Sequence, residues 1–192
     1  MDFNRIFSGM IRAARLDKDF YEEVERDTSY DQDALMVVII AAVAGALGAL
    51  IGQLIAGRLL AAIGMAIVQA VLGVAGYYLW VFIAHWVGTK WFKGTGDVGE
   101  VRRAFGFAYA PQVLNVLSFI PCLNVVIGIV AWVWSIATGF VAIRQSLDQD
   151  NTNAALTVIV SAVVVFIIVF VISLLVGGAL GIGAAVTGAL RQ

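Results

Sequence analysis

The chain has 192 residues, of which 61% are apolar and only 13% are charged. Soluble domains are about 25% charged, so this composition excludes an ordinary soluble protein. The formal net charge of −1 offers no basic surface to nucleic acid, and we expect no nucleic-acid partner. The apolar residues form long runs without the alternation of a β-barrel, which predicts one all-α polytopic membrane domain in a lipid bilayer.

The first 33 residues are polar and acidic before any long apolar run begins. We therefore predict a cytoplasmic arm, residues 1–33, followed by a transmembrane domain, residues 34–192. A cleavable signal peptide would carry its apolar run close to its start, so we expect the first span to be a retained anchor. The apolar residues of the arm recur at helical spacing and predict an amphipathic helix in the membrane interface: Phe3, Ile6, Phe7, Met10, Ile11 and Ala14.

The residues that follow this helix, from Asp17 to Asp27, are mostly acidic. Acidic charge disfavours tight binding to anionic lipid and favours a protein partner. Two compatible interpretations of the arm follow, a membrane anchor and a docking surface for a partner. The candidate partner surface combines the arm with the loop after span two: Phe20, Tyr21, Glu22, Glu23, Lys90, Lys93, Arg102 and Arg103.

Charge-free runs define the first four predicted spans. About 20 apolar residues cross the hydrocarbon core as a helix, which predicts span one at 34–57 and span two at about 66–87. The charge-free run 104–143 would be about 60 Å long as a single helix, twice the thickness of the core. We therefore predict a hairpin, with spans three and four at 104–119 and 123–143.

The last apolar run predicts span five at 154–176, which completes a fold of five transmembrane helices. Three alternatives stand for residues 177–192, which are rich in glycine and alanine: they extend the helix, lie at the interface or pack on a neighbour. Ten lysines and arginines lie on one side of this topology and two on the other. Positive charge marks the cytoplasmic side, which predicts a cytoplasmic N-terminus and a C-terminus on the opposite side.

Groups that carry out chemistry are nearly absent from the predicted spans. The chain has one histidine, His85, and one cysteine, Cys122, and no acidic residue lies within a span. Catalysis and metal binding need clusters of such groups, so we expect no enzymatic activity, no cofactor and no metal site. His85 lies among aromatic residues near a membrane boundary and is interpreted as an interfacial side chain.

Uncharged polar residues and small residues at depth have two interpretations each. Asn115, Ser118 and Asn124 join helices by hydrogen bonds or line a polar pore. Glycines at close-packing spacing let helix backbones approach, within one subunit or between the subunits of a homo-oligomer. These glycines are Gly45, Gly48, Gly52, Gly177 and Gly181.

Three local segments resemble the Yip1 domain family as found in bacteria and archaea. They are the acidic, aromatic segment 16–24 before span one, the segment 104–111 (AFGFAYAP), and the segment 139–146 (GFVAIRQS) at the end of span four. The resemblance implies an all-helical bundle in a prokaryotic plasma membrane and a role in membrane organisation or trafficking through partner proteins. The Asp-Leu-Tyr-Gly-Pro pattern of eukaryotic members is absent, so the binding of Rab-type small GTPases known for that branch is not carried over.

Two functions follow as hypotheses. The first is a non-enzymatic membrane protein that organises the membrane or recruits partner proteins through the arm and the loop 90–103. The alternative is a small channel or permease formed by the bundle or by a homo-oligomer. Its path would run beside the segment 111–124, because a helix broken by proline at depth is tolerated where it lines a cavity.

Overall fold

The computed structural model describes residues 2–121 and 123–189, without the side chains of residues 59–61, 173 and 175–189. In this part of the chain every regular element is a helix. The seven α-helices are α1 (Phe3–Ala14), α2 (Lys18–Arg26), α3 (Asp31–Ile55), α4 (Leu59–Trp91), α5 (Val98–Ala108), α6 (Leu123–Ser146) and α7 (Asn151–Ala189). Two 3₁₀ helices, Thr28–Tyr30 and Ala110–Phe119, lie before α3 and after α5.

Four of these helices are long and apolar enough to cross a membrane, over Thr28–Ile55, Ala62–Trp91, Leu123–Ser146 and Asn151–Ile172. They carry many large apolar side chains on their outer surface, such as Leu72 and Phe166. Such a surface is stable in lipid and unfavourable in water. The all-helical prediction is confirmed, and the protein is an integral membrane protein.

The structure differs from the prediction of a helical span at 104–119. Here α5 ends at Ala108, and a 3₁₀ helix continues to Phe119. Pro111 lies in the first turn of the 3₁₀ helix. Proline has no N–H, but the N–H groups of a first turn have no partner within the helix, so no helical hydrogen bond is lost there. A window of apolar residues records only length and hydropathy, so it does not reveal this change of helix type.

Two other predicted spans are longer than expected. Helix α4 begins at Leu59 rather than near residue 66, because the chain reverses within three residues after α3. Gly57 makes this turn with a φ of 73°, a left-handed conformation that glycine adopts without strain. Helix α7 continues past residue 176 to Ala189. The predicted packing glycines Gly177 and Gly181 lie outside the residues whose side chains are described.

The beginnings of α3, α5 and α7 and the ends of α4 and α6 meet at one end of the bundle, called here the arm end. The backbone N–H of Thr95, after α4, donates to the carbonyl of Leu147, after α6, at 3.1 Å. The Gln149 side chain donates to the carbonyl of Phe92 at 3.0 Å. Helices α1 and α2 fold onto the same end, and their buried residues join those of α3, α5 and α6 in one core.

Candidate functional site: the arm end and the central cavity

Arg103 on α5 is the centre of the contact between the arm and the bundle. Only 5% of this residue is exposed. Its Nε donates to the carbonyl of Val24 at 3.1 Å, and its Nη2 donates to the carbonyl of Glu25. These two carbonyls belong to the last turn of α2, where no helical N–H is available to them. A cation at this position also complements the negative end of the helix dipole.

The carboxylate of Asp31, at the start of α3, joins this contact. It lies 3.3 Å from Nη1 of Arg103 and 2.9 Å from Nη2 of Arg102. A second pair, Arg5 on α1 with Asp33 on α3, ties the first helix of the arm to the same turn of α3. Arg5 also donates to the carbonyl of Ser29 at 3.0 Å. Ion pairs therefore join α1 and α5 to the start of α3, and hydrogen bonds from Arg103 add α2.

Arg12 fixes α1 against α2. Its Nε lies 2.7 Å from Asp17 and its Nη1 lies 3.0 Å from Glu23. The guanidinium is also 4.7 Å from the centre of the Phe20 ring, a cation–π distance. The bond from Arg12 holds the pKa of Asp17 below its usual value. Asp17 remains ionised and caps α2 through the backbone N–H of Phe20.

An aromatic cluster lies beneath these ion pairs. The rings of Phe20 and Phe107 meet edge to face with their centres 5.0 Å apart, and Tyr30 packs against both. Tyr21 is fully buried, and its hydroxyl donates to the carbonyl of Ala13 at 3.4 Å. Burial raises the pKa of Tyr21, so the phenol remains protonated. Gly9 lets the rings approach, since a Cβ there would lie 3.0 Å from Phe20.

The predicted partner surface is therefore revised. Phe20, Tyr21 and Arg103 are buried within the chain, because they bind the arm to the bundle. Glu22, Glu23, Lys90, Lys93 and Arg102 remain exposed or half-exposed. The sequence did not distinguish the two sets, because the partners of Phe20 and Arg103 lie about 80 residues away in the chain.

Glu25 is the buried acid of α2, whose other acids, Asp19, Glu22 and Glu23, are exposed. Its Oε2 has no hydrogen-bond partner among the described residues. Burial raises the pKa of Glu25 to about 7; nearby Asp148 acts in the same direction, and Arg26 at 3.8 Å opposes it. The side chain therefore changes its protonation state near neutral pH.

A cavity of about 680 Å³, half open to the outside, lies between the helices of the bundle. Its wall is formed by α3, α4, α5, the long 3₁₀ helix, α6 and α7, and most of the lining residues are apolar. The lining also includes four large rings, those of Trp80, Phe105, Tyr109 and Trp132. This volume lies within the range of about 300–1,000 Å³ that is typical of small-molecule sites.

Amide and hydroxyl groups meet at one side of this cavity. Asn115 donates to Oε1 of Gln112 at 2.6 Å, and Gln112 donates to Oγ of Ser135 at 2.9 Å. Gln69 from α4 also lines the cavity. Gln112 was not singled out from the sequence, although its spacing of three residues from Asn115 is a signal that the two side chains are neighbours on a helix.

The three predicted polar residues do not form one path. Asn115 lines the cavity, and Ser118 lies against α3, where a Cβ at Gly48 would be 2.5 Å from its Oγ. Asn124 is exposed, and its Oδ1 accepts from the N–H of Val125 at 2.8 Å. A continuous pore lined by all three residues is therefore not present in the described structure.

The three glycines of span one lie along the contact between α3 and the long 3₁₀ helix. A Cβ at Gly45 would lie 3.8 Å from Asn115, and one at Gly52 would lie 3.7 Å from Phe119. A Cβ at Gly48 would collide with the carbonyl of Asn115. These glycines thus bring backbones together within one chain.

The geometry is that of a polytopic helical membrane protein with a folded arm and a polar group within its core. No group of three or more His, Cys, Asp or Glu residues that could hold a metal ion occurs among the described residues. A family model, the Yip1 domain, matches residues 17–174. The chain belongs to the Yip1 domain family, and the resemblance noted from the sequence is confirmed. Neither the comparison with curated proteins nor that with solved structures finds a match.

Proposed function

We propose that this Yip1 domain protein is a non-enzymatic membrane protein that organises the membrane or recruits partner proteins, in membrane trafficking or transport. The observation that carries the proposal is the exposed acidic surface of α2, held in a fixed position by the buried contacts of Arg103 and Phe20. A surface held on a folded scaffold binds a partner with less loss of conformational entropy than a mobile tail does.

The exposed acids of this surface are Asp19, Glu22 and Glu23. Since all three are negative, the partner that fits them is a protein with a basic segment. Lys90, in the last turn of α4, and Lys93, just after that helix, are also exposed at this end of the bundle and are proposed as the second part of the contact.

We infer that the arm end faces the cytoplasm of a prokaryotic cell and that the chain crosses the membrane five times. The hydrogen bonds between the segments after α4 and α6 support this topology, because they require both helices to end on the same side. The chain between Trp91 and Leu123 must then cross once more. The excess of lysine and arginine at the arm end supports its cytoplasmic location.

The dimensions of the segment after α5 agree with this extra crossing. A Cβ at Gly106 would lie 2.9 Å from Ala34, and one at Gly52 would lie 3.7 Å from Phe119. Along α3 the distance from Ala34 to Gly52 is about 27 Å. From Gly106 to Phe119, the end of α5 and the 3₁₀ helix together extend about 25 Å, because a 3₁₀ helix rises about 2.0 Å per residue.

We propose that α1 lies in the membrane interface. Ile6 and Met10 are buried against the bundle, while Phe3 and Phe7 are 63% and 61% exposed on another side. The indole of Trp134, in the middle of α6, donates to the carbonyl of Ala14 at 2.8 Å, so the end of α1 reaches down toward the apolar part of the bundle. Exposed aromatic rings at this level favour the boundary between headgroups and acyl chains.

The partner surface is tested by reversing its charge in the full-length protein. We expect Asp19→Lys with Glu22→Lys to abolish photo-crosslinking from a probe at residue 18 to a partner in native membranes. The control Asp19→Glu with Glu22→Asp keeps the charge and is expected to keep the crosslink. If the reversed variant retains the same crosslinked product, the acidic surface is not the docking site.

The alternative function, a small channel or permease formed by the bundle or a homo-oligomer, is favoured by one observation. The central cavity carries the amide of Asn115, and a polar lining is what a permeation path requires. Its test is solute flux into proteoliposomes, which Asn115→Leu would reduce.

A further inference from the structure

The amide cluster lies halfway along the helices that carry it. Gly45 on α3 adjoins both Gln69 and Asn115, and it lies about 16 Å along the helix from Ala34 and about 15 Å from Ile55. Ser135 is likewise near the middle of α6, whose ends are Leu123 and Ser146. The polar groups of the cavity therefore lie at the middle of these helices, at the level where Trp134 meets the end of α1.

One amide of the cluster has no partner in the described part of the chain. The side chain of Gln69 makes no hydrogen bond to the described residues, and it is exposed where it lines the cavity. Asn115 and Gln112 each use one amide hydrogen for the chain of bonds to Ser135 and retain a second one. Unpaired amides are unfavourable in hydrocarbon, so the cavity offers several hydrogen-bond donors to a molecule that enters it.

The rest of the wall defines what such a molecule can be. Among the described residues that line the cavity, none carries a charge, and most are aliphatic or aromatic. A lipid with a charged headgroup would lose its hydration here without an opposite charge to replace it. A neutral molecule with carbonyl oxygens would accept from the free amide hydrogens, and an apolar tail would lie along the aliphatic wall.

The aromatic residues favour a head group with a flat ring. The rings of Trp80 and Phe105 are stacked with their centres 5.7 Å apart and an interplanar angle of 22°. Both belong to the cavity wall, as does Trp132, which is 64% exposed. Flat rings pack well against such surfaces.

We propose that the central cavity is a binding site for a neutral lipid whose small head group carries carbonyl acceptors, with a prenyl quinone as the best-fitting form. Gln69, Gln112 and Asn115 bind the carbonyl oxygens, and the apolar wall holds the prenyl tail. This site lies between the long helices, away from the proposed partner surface on α2, and the two proposals are tested by separate experiments.

Binding is measured by tryptophan fluorescence of the full-length protein in nanodiscs, because a quinone quenches a tryptophan that it contacts. We expect a short-chain prenyl quinone to quench saturably. Excess squalene, which has a prenyl chain and no carbonyl, is expected to leave this quenching unchanged. A diacylglycerol competitor tests ester carbonyls without a ring, and its equal binding would overturn the assignment to quinones.

Two pairs of variants locate the site. Gln69→Leu removes the unpaired amide and is expected to weaken quinone binding at least tenfold, whereas Gln53→Leu, an amide of α3 outside the cavity wall, leaves it unchanged. Gly76→Leu fills the cavity without a collision, since nothing lies within 4 Å of its Cβ. We expect Gly76→Leu to abolish quinone binding. The control Gly64→Leu also has nothing within 4 Å of its Cβ, but residue 64 does not line the cavity, so we expect this variant to bind normally.

Three results would overturn the proposal. One is quenching that does not saturate or that Gly76→Leu leaves intact in a folded variant. Another is a stable dimer, measured by light scattering, that Gly76→Leu dissociates, because a second copy would then occupy the cavity. The third is solute flux through the wild-type protein that Asn115→Leu reduces while quinone binding is absent, because the cavity would then hold water.

Discussion

Replacing Arg103 by methionine tests whether this one side chain holds the arm on the bundle. Methionine keeps an unbranched apolar stem but removes every hydrogen bond of the guanidinium. The buried carbonyls of Val24 and Glu25 would each lose a donor, and the partly exposed carboxylate of Asp31 would keep only Arg102. Loss of one partner from a buried ionic contact typically costs about 3–5 kcal/mol.

That cost falls on the docking of α2, because the bonds of Arg103 connect α2 to α5. Each 1.4 kcal/mol is a factor of about ten in an equilibrium, so we expect the undocked population of α2 to rise at least a hundredfold. Arg102→Met is the matched control. Arg102 binds the same Asp31 at 2.9 Å, but its side chain is 42% exposed, and exposed ion pairs contribute about 0–1 kcal/mol.

Hydrogen–deuterium exchange of the full-length protein in nanodiscs measures this population directly. We expect the amides of residues 20–26 to exchange at least a hundredfold faster in Arg103→Met and less than tenfold faster in Arg102→Met. The amides of α6 serve as an internal control for the bundle and are expected to keep their protection. Equal exchange rates in the two variants would refute the assignment of docking energy to Arg103.

Three further predictions concern packing, pH and topology. Gly48→Ala should destabilise the purified protein by about 1–3 kcal/mol in thermal unfolding, because its Cβ collides with the long 3₁₀ helix; Gly64→Ala, with open space around it, should not. Burial raises the pKa of Glu25 from 4.5 to about 7, so its neutral form stabilises the fold below about pH 4.5, and the free energy of unfolding decreases as the pH rises through 7. Glu25→Gln should remove this decrease. A variant whose stability still falls with pH as in the wild-type protein would contradict the role given to Glu25. With Cys122→Ser as background, a cysteine at exposed Ala56 should react with an impermeant thiol reagent in intact cells and one at exposed Asp150 should not; the reverse pattern would refute the orientation.

The sequence predicted the long helices because their signal is local. The apolar run of α3 is bounded by Asp33 and Arg58, and length and hydropathy are sufficient to identify such a helix. The segment 104–119 has the same composition and a different structure. Its backbone conformation depends on Pro111 and on the close approach to Gly48, which no count of apolar residues includes.

The contacts of the arm were predicted less well than the helices. The alternation of apolar and charged residues in α2 indicates that one face is buried, but it does not reveal what covers that face. Phe20 is covered by Phe107, and the end of α2 is covered by Arg103. Both partners lie on α5, which was predicted as a loop followed by the start of a span, so their contact with α2 could not be anticipated.

The long 3₁₀ helix and the central cavity have a common cause. A 3₁₀ helix has three residues per turn, so residues 112, 115 and 118 fall on one side of it, and these are Gln112, Asn115 and Ser118. In an α-helix, which has 3.6 residues per turn, the same residues would spread over about 120° around the axis. The 3₁₀ conformation keeps all three polar groups facing protein, toward α3 and α6. Irregular backbone at membrane depth is stable only where it is buried in protein or lines a cavity. Here the glycines of α3 pack against one side of the 3₁₀ helix, and the cavity lies on the other side.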